Sequence, residues 1–191
     1  MDIGKKKKIL VAVTGASAML YLQSFLELLE GEDVIVHGIC SEAGEKVLEL
    51  EHHCLSRQLP GVSKWFDSRD FAAPPASGSA GYDAMVVIPC SMGTLASIAS
   101  GITSNLIHRA ADVMLKETKK LILVVRETPL NRTHLKNMLA AHDAGAVICP
   151  PHPGLYLKPK SLEEAAQTFS WRLGDQLGLT MAGRKRWGDD K

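Results

Sequence analysis

The sequence lacks a long apolar run, a cysteine pair at metal-binding spacing and any marked excess of charge. Its 191 residues include 22 lysines and arginines against 21 aspartates and glutamates, a formal net charge of +1. A generic nucleic-acid binder needs a basic face, so this balance argues against that class. No apolar run approaches the roughly 20 residues of a membrane span. The cysteines, without C-x-x-C spacing, are interpreted as reduced thiols: Cys40, Cys54, Cys90 and Cys149.

The N-terminus is basic but does not have the pattern of a signal peptide. The apolar stretch that follows its lysines covers only residues 9–13 and ends at Thr14 and Gly15. Because this stretch is too short for the hydrophobic region of a signal peptide, we interpret it as a first strand and predict a cytoplasmic protein. The length suits one domain over residues 1–191.

Apolar runs of strand length alternate along the chain with helical stripes. This alternation predicts an α/β protein, a single Rossmann-like (flavodoxin-like) three-layer domain with a parallel sheet. In such folds ligands bind beyond the carboxyl ends of the strands. The stretch 53–82 is interpreted as a long loop. The predicted strands are 8–13, 34–39, 84–88, 121–125 and 146–149, and the predicted helices are 17–30, 41–51, 91–100, 105–116, 129–143 and 161–177.

Hydroxyl side chains follow three of the predicted strands. Ser17 closes the turn after the first strand, Ser41 follows the second, and Ser91 and Thr94 follow the third. Free backbone N–H groups at a helix start, together with hydroxyls, favour a phosphate. Ser17 and Ser41 are also candidate N-caps that need no ligand. The turns after the first and third strands are therefore both candidate phosphate sites. Two such sites on one edge of the sheet favour a nucleotide-like ligand.

Charged residues follow the fourth strand and recur on later helices. Arg126 is suited to a phosphate or a ring carbonyl, and the neighbouring Glu127 is suited to proton transfer. The alternative is a structural ion pair between these two residues. Arg109 and Lys116 are seven residues apart on one predicted helix, and Arg172 is on the last. These three cations, together with the hydroxyls that follow the strands, are candidates to bind a second phosphate.

The chain resembles the flavin prenyltransferase (UbiX) family over nearly its whole length. The resemblance is weakest at 53–70. The matching stretches are VTGAS at 13–17, APPASGS at 73–79, PCSMGTLASIASG at 89–101, NLIHRAADVMLKE at 105–117, VVRETPL at 124–130, HLKNML at 134–139 and RWG at 186–188.

The resemblance implies a reaction and its partners. A dimethylallyl group from dimethylallyl monophosphate is joined to N5 and C6 of reduced FMN, and the product, prenylated FMN, serves a UbiD-type decarboxylase. The resemblance also implies that no metal is required, and that the protein is a homododecamer built from trimers with sites at subunit interfaces. No nucleic acid and no membrane is expected as a partner.

The resemblance also implies roles for individual residues. Glu127, Glu51, Tyr156, Trp187 and Ser17 are the expected catalytic residues. Two positions depart from the family pattern, since Ala18 stands where glycine is frequent and Phe71 where tryptophan is frequent. FMN contacts are expected from Gly15, Ala16, Ser17, Ser41, Ser91, Met92, Gly93, Thr94 and Arg126, and contacts to the prenyl phosphate from Tyr156, Arg172, Lys116, Arg109, Ser77 and Phe71.

Several alternatives stay open at this point. The proton released at C6 could pass to Glu127, to Glu51 or to the departing phosphate, and the donor could be a monophosphate or a pyrophosphate. The basic stretches 5–8 and 184–186 are interpreted as solvated ends, although the tail 179–191 could instead extend over a neighbouring site.

Two other functions compete with prenyl transfer. One is an FMN-dependent cysteine decarboxylase of the phosphopantothenoylcysteine type, with Pro75-Ala76-Ser77 as its loop and His52 or His53 as its histidine. The sequence Gly78-Ser79 after that loop departs from the Asn-Thr ending of those enzymes. The other is a non-catalytic flavin carrier.

Overall fold

A computed structural model describes residues 6–181 and 183–188. Six parallel strands form one sheet in the order β3-β2-β1-β4-β5-β6. The strand order reverses between β1 and β4, which is the position where doubly wound sheets open a ligand crevice. The strands are β1 Lys7–Val13, β2 Val34–Cys40, β3 Lys64–Asp67, β4 Ala84–Cys90, β5 Lys120–Val125 and β6 Val147–Ile148.

Helices cover both faces of the sheet. Side chains of β1 alternate between two hydrophobic clusters, with Leu10 and Ala12 in one and Ile9 and Val11 in the other. Helices α3, α4 and α5 pack on the first face, and α1, α2 and α6 pack on the second. The predicted three-layer α/β fold is therefore confirmed. The helices are α1 Met19–Glu30, α2 Glu42–His52, α3 Met92–Ala99, α4 Leu106–Lys116, α5 Arg132–Asp143 and α6 Leu162–Leu177.

The stretch 53–82 differs from the predicted loop because it contains β3. This strand has only four residues and pairs with β2 at one edge of the sheet, with Lys64 and Asp67 exposed. Charged residues and short length are usual at sheet edges, where they prevent pairing with other chains. The Tyr82 hydroxyl lies 2.7 Å from Nδ1 of His37 and joins the end of this stretch to β2.

Within residues 6–181 and 183–188, no helix has both the length and the hydropathy required to cross a bilayer.

Candidate functional site

Thr14 joins the two central strands where they end. Its hydroxyl donates to the carbonyl of Pro89 at 2.8 Å and accepts the N–H of Ser91 at 2.8 Å. Its own N–H also donates to Pro89 at 3.3 Å, and the residue is 2% exposed. One buried hydroxyl thus connects the turn before α1 to the turn before α3. The sequence pattern indicates only a turn at Thr14, so this role was not predicted.

We expect Thr14→Val to lower the free energy of unfolding by about 2 kcal/mol, because it leaves the partly buried N–H of Ser91 without its partner. Thr14→Ser keeps the hydroxyl and is the matched control. Urea denaturation at equal protein concentration measures the difference. Equal stability of the Val and Ser variants would contradict the role assigned to the hydroxyl.

Ser41 and Ser91 cap the helices that follow β2 and β4. The Ser41 hydroxyl accepts the N–H of Gly44 at 3.0 Å, and the Ser91 hydroxyl accepts the N–H of Thr94 at 3.3 Å. Ser91 also donates to the Thr94 hydroxyl at 3.1 Å. The capping interpretation is confirmed for Ser41. Capping by Ser41 is compatible with ligand binding. Its hydroxyl oxygen accepts the N–H of Gly44, and its hydroxyl proton can still be donated to a ligand.

Helix α1 begins differently from the prediction. The N-cap is Ala18, in the left-handed conformation with φ 87° and ψ 40°, so the proposed N-cap role of Ser17 is wrong. The Ala18 side chain makes no capping hydrogen bond. Instead the carboxylate of Glu51, at the end of α2, accepts the N–H of Ala18 at 3.1 Å and that of Met19 at 2.8 Å. These bonds hold Glu51 at the carboxyl edge of the sheet.

Ala18→Gly is expected to raise the free energy of unfolding by about 1 kcal/mol, because a left-handed residue with a Cβ is strained and glycine is not. Thermal and urea denaturation check the sign. A loss of stability would mean that the greater freedom of glycine in the unfolded chain outweighs the relief of strain.

Gly15, in the turn before α1, and Gly93, in the first turn of α3, have different surroundings. A Cβ on Gly15 would lie 2.5 Å from Cβ of Ala43, so only glycine lets this turn pack against α2. A Cβ on Gly93 would meet nothing within 4 Å. Protein packing therefore does not require glycine at position 93, where the absence of a side chain leaves the backbone at the start of α3 open to a ligand.

Arg126 and Glu127 follow β5 and line an open cavity of about 420 Å³. Within the described residues they form no ion pair with each other, so the structural ion pair considered from the sequence is wrong. The N–H of Arg126 donates to the carbonyl of Cys90 at 3.2 Å, and Oε1 of Glu127 accepts the N–H of Thr128 at 2.9 Å. Ala18 and His152 also line this cavity.

A second open cavity, of about 630 Å³, adjoins the first. It is lined by Tyr156, Arg172 and Trp187, and the rings of Tyr156 and Trp187 meet edge to face at 5.1 Å. His152 lies in the walls of both cavities, which makes them neighbours. His152 was not predicted as a site residue, although a titratable side chain in the loop after the last strand was a signal.

Other residues assigned to the prenyl phosphate lie elsewhere in the chain. Nε of Arg109 donates to the carbonyl of Ala76 at 3.1 Å, and Nη1 pairs with Asp112 at 2.7 Å. Lys116 pairs with Glu117, which lines a small crevice together with Ser77. We call Ser77, Arg109 and Lys116 the α4 cluster. Lys116 ends α4 just before β5 begins, and therefore lies toward the amino edge of the sheet.

Neither the α4 cluster nor Phe71 lines the two cavities of the same chain. Phe71 is 48% exposed, in the segment between β3 and β4. Within one chain, most of the predicted site residues fall into three groups. Six lie near the carboxyl edge of the sheet, and three line the adjoining cavity. Those near the edge are Ser17, Ser41, Glu51, Ser91, Arg126 and Glu127, those of the adjoining cavity are Tyr156, Arg172 and Trp187, and those that lie elsewhere are Phe71, Ser77, Arg109 and Lys116.

The cysteines are free thiols, and their surroundings disfavour the thiolate form. Burial raises the pKa of Cys90 to about 12, and burial together with the Glu45 carboxylate also raises the pKa of Cys40. Burial also raises the pKa of Cys149, and the Arg172 guanidinium partly offsets this effect. Thiols in this state are poor nucleophiles and metal ligands. Among the described residues, no group of three or more His, Cys, Asp or Glu side chains is arranged to hold a metal ion.

Comparison with known proteins supplies the family. Residues 2–166 match the family described as Flavoprotein. The flavin prenyltransferase UbiX of Deinococcus radiodurans is 43% identical over 185 residues, covering 96% of this chain and 95% of that protein. The structure of AnUbiX in complex with FMN and dimethylallyl pyrophosphate has a TM-score of 0.93 and 39% identity, covering 96% of this chain and 98% of that chain.

A dodecameric FMN-dependent UbiX-like decarboxylase from Escherichia coli has a TM-score of 0.90 and 38% identity, covering 94% and 98% of the two chains. A PPC decarboxylase has a TM-score of 0.64 at only 18% identity, over 78% of this chain and 84% of that one. That likeness shows the fold alone and does not support the cysteine decarboxylase alternative. With relatives of about 40% identity along nearly its full length, the chain belongs to the flavin prenyltransferase (UbiX) family of flavoproteins.

Proposed function

We propose that this protein joins a dimethylallyl group from dimethylallyl monophosphate to N5 and C6 of reduced FMN. The observation that carries the proposal is the pair of adjoining cavities with His152 in the wall of both. One cavity has Arg126 and Glu127 beside the helix starts. The other has Arg172 beside two aromatic rings. The layout suits two phosphorylated substrates whose reacting ends meet between the cavities.

The edge formed by β1, β2, β4 and β5 suits FMN as a substrate. Backbone N–H groups at the starts of α2 and α3 and the hydroxyls that cap them favour a phosphate. Arg126 adds a fixed positive charge at the adjoining strand end. The open space beside Gly93 permits close approach of the ligand to the backbone. In this proposal FMN contacts Gly15, Ala16, Ser17, Ser41, Ser91, Met92, Gly93, Thr94 and Arg126.

The second cavity suits the prenyl phosphate. When the allylic C–O bond breaks, the phosphate leaves with the electron pair, and the Arg172 guanidinium is placed to receive its charge. The carbon left behind becomes electron-poor, and the faces of Tyr156 and Trp187 are suited to such a group. In this scheme arginine and lysine side chains supply the charge stabilisation without a required metal.

Proton transfer at C6 is assigned to Glu127. Both carboxylate oxygens of Glu51 already accept N–H groups at the start of α1, whereas among the described residues Glu127 uses only Oε1, for the N–H of Thr128. Glu127 therefore keeps an oxygen for a proton on the cavity side. Glu51 then serves to hold the start of α1 beside the reacting groups.

A second copy of the chain is proposed to complete the site. The α4 cluster holds two cations and a hydroxyl that the cavities of the same chain do not use. Assembly into a homododecamer built from trimers would bring this cluster and Phe71 to a neighbouring chain's prenyl cavity. The E. coli relative described as dodecameric supports such an assembly.

The remaining expectations are kept as proposals. The product is passed to a UbiD-type decarboxylase in the cytoplasm. Residues 1–191 form one flavoprotein domain. The tail 179–191 was expected to extend over a neighbouring site, and its described residues Leu179, Met181 and Trp187 pack on the same chain. Within 1–191, residues 1–5, 182 and 189–191 lie outside the described part of the chain.

Anaerobic mixing with reduced FMN and dimethylallyl monophosphate tests the function. Mass spectrometry of the flavin should show the addition of one dimethylallyl unit, and inorganic phosphate should be released in equal amount. Dimethylallyl pyrophosphate in a parallel reaction distinguishes the donors. FMN of unchanged mass with both donors would overturn the proposal and favour a flavin carrier.

A further inference from the structure

The basic tail after α6 is not a solvated end in the described residues. Arg184 is only 11% exposed at its side chain and forms an ion pair with Asp175 of α6, whose side chain is 26% exposed. Arg186 lies 3.9 Å from the same carboxylate. The interpretation of residues 184–186 as solvated is therefore wrong for Arg184. Lys5, of the N-terminal basic stretch, lies outside the described residues.

The chain beyond α6 packs back against that helix. The N–H of Leu179 donates to the carbonyl of Gly174 at 3.0 Å. Leu179 and Met181 are each 8% exposed. A Cβ on Gly174 would overlap the sulfur of Met181, so glycine at this position leaves the space that Met181 fills. Leu179 and Met181 therefore pack against α6 shortly before the chain reaches Arg184, which pairs with Asp175.

The ion pair is close to the prenyl cavity. Asp175 is three residues after Arg172, so the two side chains lie on one face of α6, and both line the cavity. Trp187 is three residues after Arg184, and its ring meets that of Tyr156 at 5.1 Å with an interplanar angle of 79°. Edge-to-face contact alone holds an exposed ring weakly, and Trp187 is 75% exposed. A separate anchor is needed to keep it there.

We propose that Asp175 is a positioning residue for prenyl transfer, which holds Trp187 against Tyr156 through its ion pairs with Arg184 and Arg186. The inference rests on the proposed function for its catalytic consequence, but the anchoring itself does not. Asp175 touches no reacting atom in this proposal. Its effect is to fix the aromatic wall of the prenyl cavity before the substrate arrives.

Asp175→Asn and Arg184→Met test the anchor in the full-length protein. Amide hydrogen exchange of the tail peptide that contains Arg184 and Trp187 should become about tenfold faster, the effect of losing one charge-assisted contact. KM for dimethylallyl monophosphate should rise about tenfold, while the dissociation constant for FMN stays within twofold. The double variant Asp175→Arg/Arg184→Asp should restore both values toward those of the wild type.

Asp143→Asn and Arg132→Met remove one carboxylate and one guanidinium at exposed positions of α5 and should change neither readout. Unchanged tail exchange in Asp175→Asn would overturn the proposal. Faster exchange with an unchanged KM would overturn the positioning role and leave a purely structural pair. If the wild type transfers no prenyl group, the exchange experiment still tests the anchor, so the two failures are distinguishable.

Discussion

Glu127→Gln is expected to leave FMN bound and to slow product formation by at least about a hundredfold, the usual contribution of a positioned general base. Glutamine keeps the size of the side chain and its acceptor oxygen toward the N–H of Thr128, but it cannot take a proton. Single-turnover mixing of the enzyme with reduced FMN and dimethylallyl monophosphate, followed by mass spectrometry, measures the rate. Fluorescence titration with FMN checks that binding is kept.

Glu51→Gln is the informative comparison for that result. Because both oxygens of Glu51 accept N–H groups of α1, we expect its loss to act on stability and on FMN affinity. A normal single-turnover rate in Glu127→Gln would remove Glu127 from proton transfer. If Glu51→Gln then showed the large rate loss, the assignment would pass to Glu51.

Arg172→Met is expected to weaken binding of the prenyl phosphate by about tenfold to a hundredfold, the value of one charge-assisted contact. FMN affinity should change by less than twofold, since Arg172 lines the second cavity and is absent from the wall that holds Arg126. Isothermal titration with dimethylallyl monophosphate, beside a titration with FMN, separates the two effects.

Arg172→Lys keeps the charge but loses the planar fork, so it should recover only part of the affinity. Arg132→Met, at an exposed position of α5, controls for the loss of one guanidinium. Equal weakening of both ligands in Arg172→Met would contradict the division of the site into a flavin cavity and a prenyl cavity.

The layered fold followed from the sequence because strands such as β4 are buried on both faces and read as continuous apolar runs. β3 was missed because a four-residue edge strand with Lys64 and Asp67 at its ends has neither that run nor an alternation. The start of α1 was misplaced because an alanine carries no sequence signal for a left-handed backbone. Local pattern does not specify such conformations, since distant contacts such as Glu51 support them.

Parts of the candidate site were predictable for the same physical reason. Ser41, Ser91 and Arg126 directly follow buried strands, so their place at one sheet edge follows from parallel topology. The separation of Arg109 and Lys116 from Arg172 was not predictable from charge alone, because it depends on which face of the sheet each helix covers. The partnership of Arg184 with Asp175 depends on how the chain turns after α6.

The hydroxyl of Thr14 also has a thermodynamic consequence for ligand affinity. Two separate turns would each lose conformational freedom when FMN orders them, and that entropy would be subtracted from binding. Because one buried side chain already joins Pro89 and Ser91 to the end of β1, the ordering takes place during folding. FMN therefore meets a rigid receptor, and the hydroxyl that preserves its affinity is buried away from it.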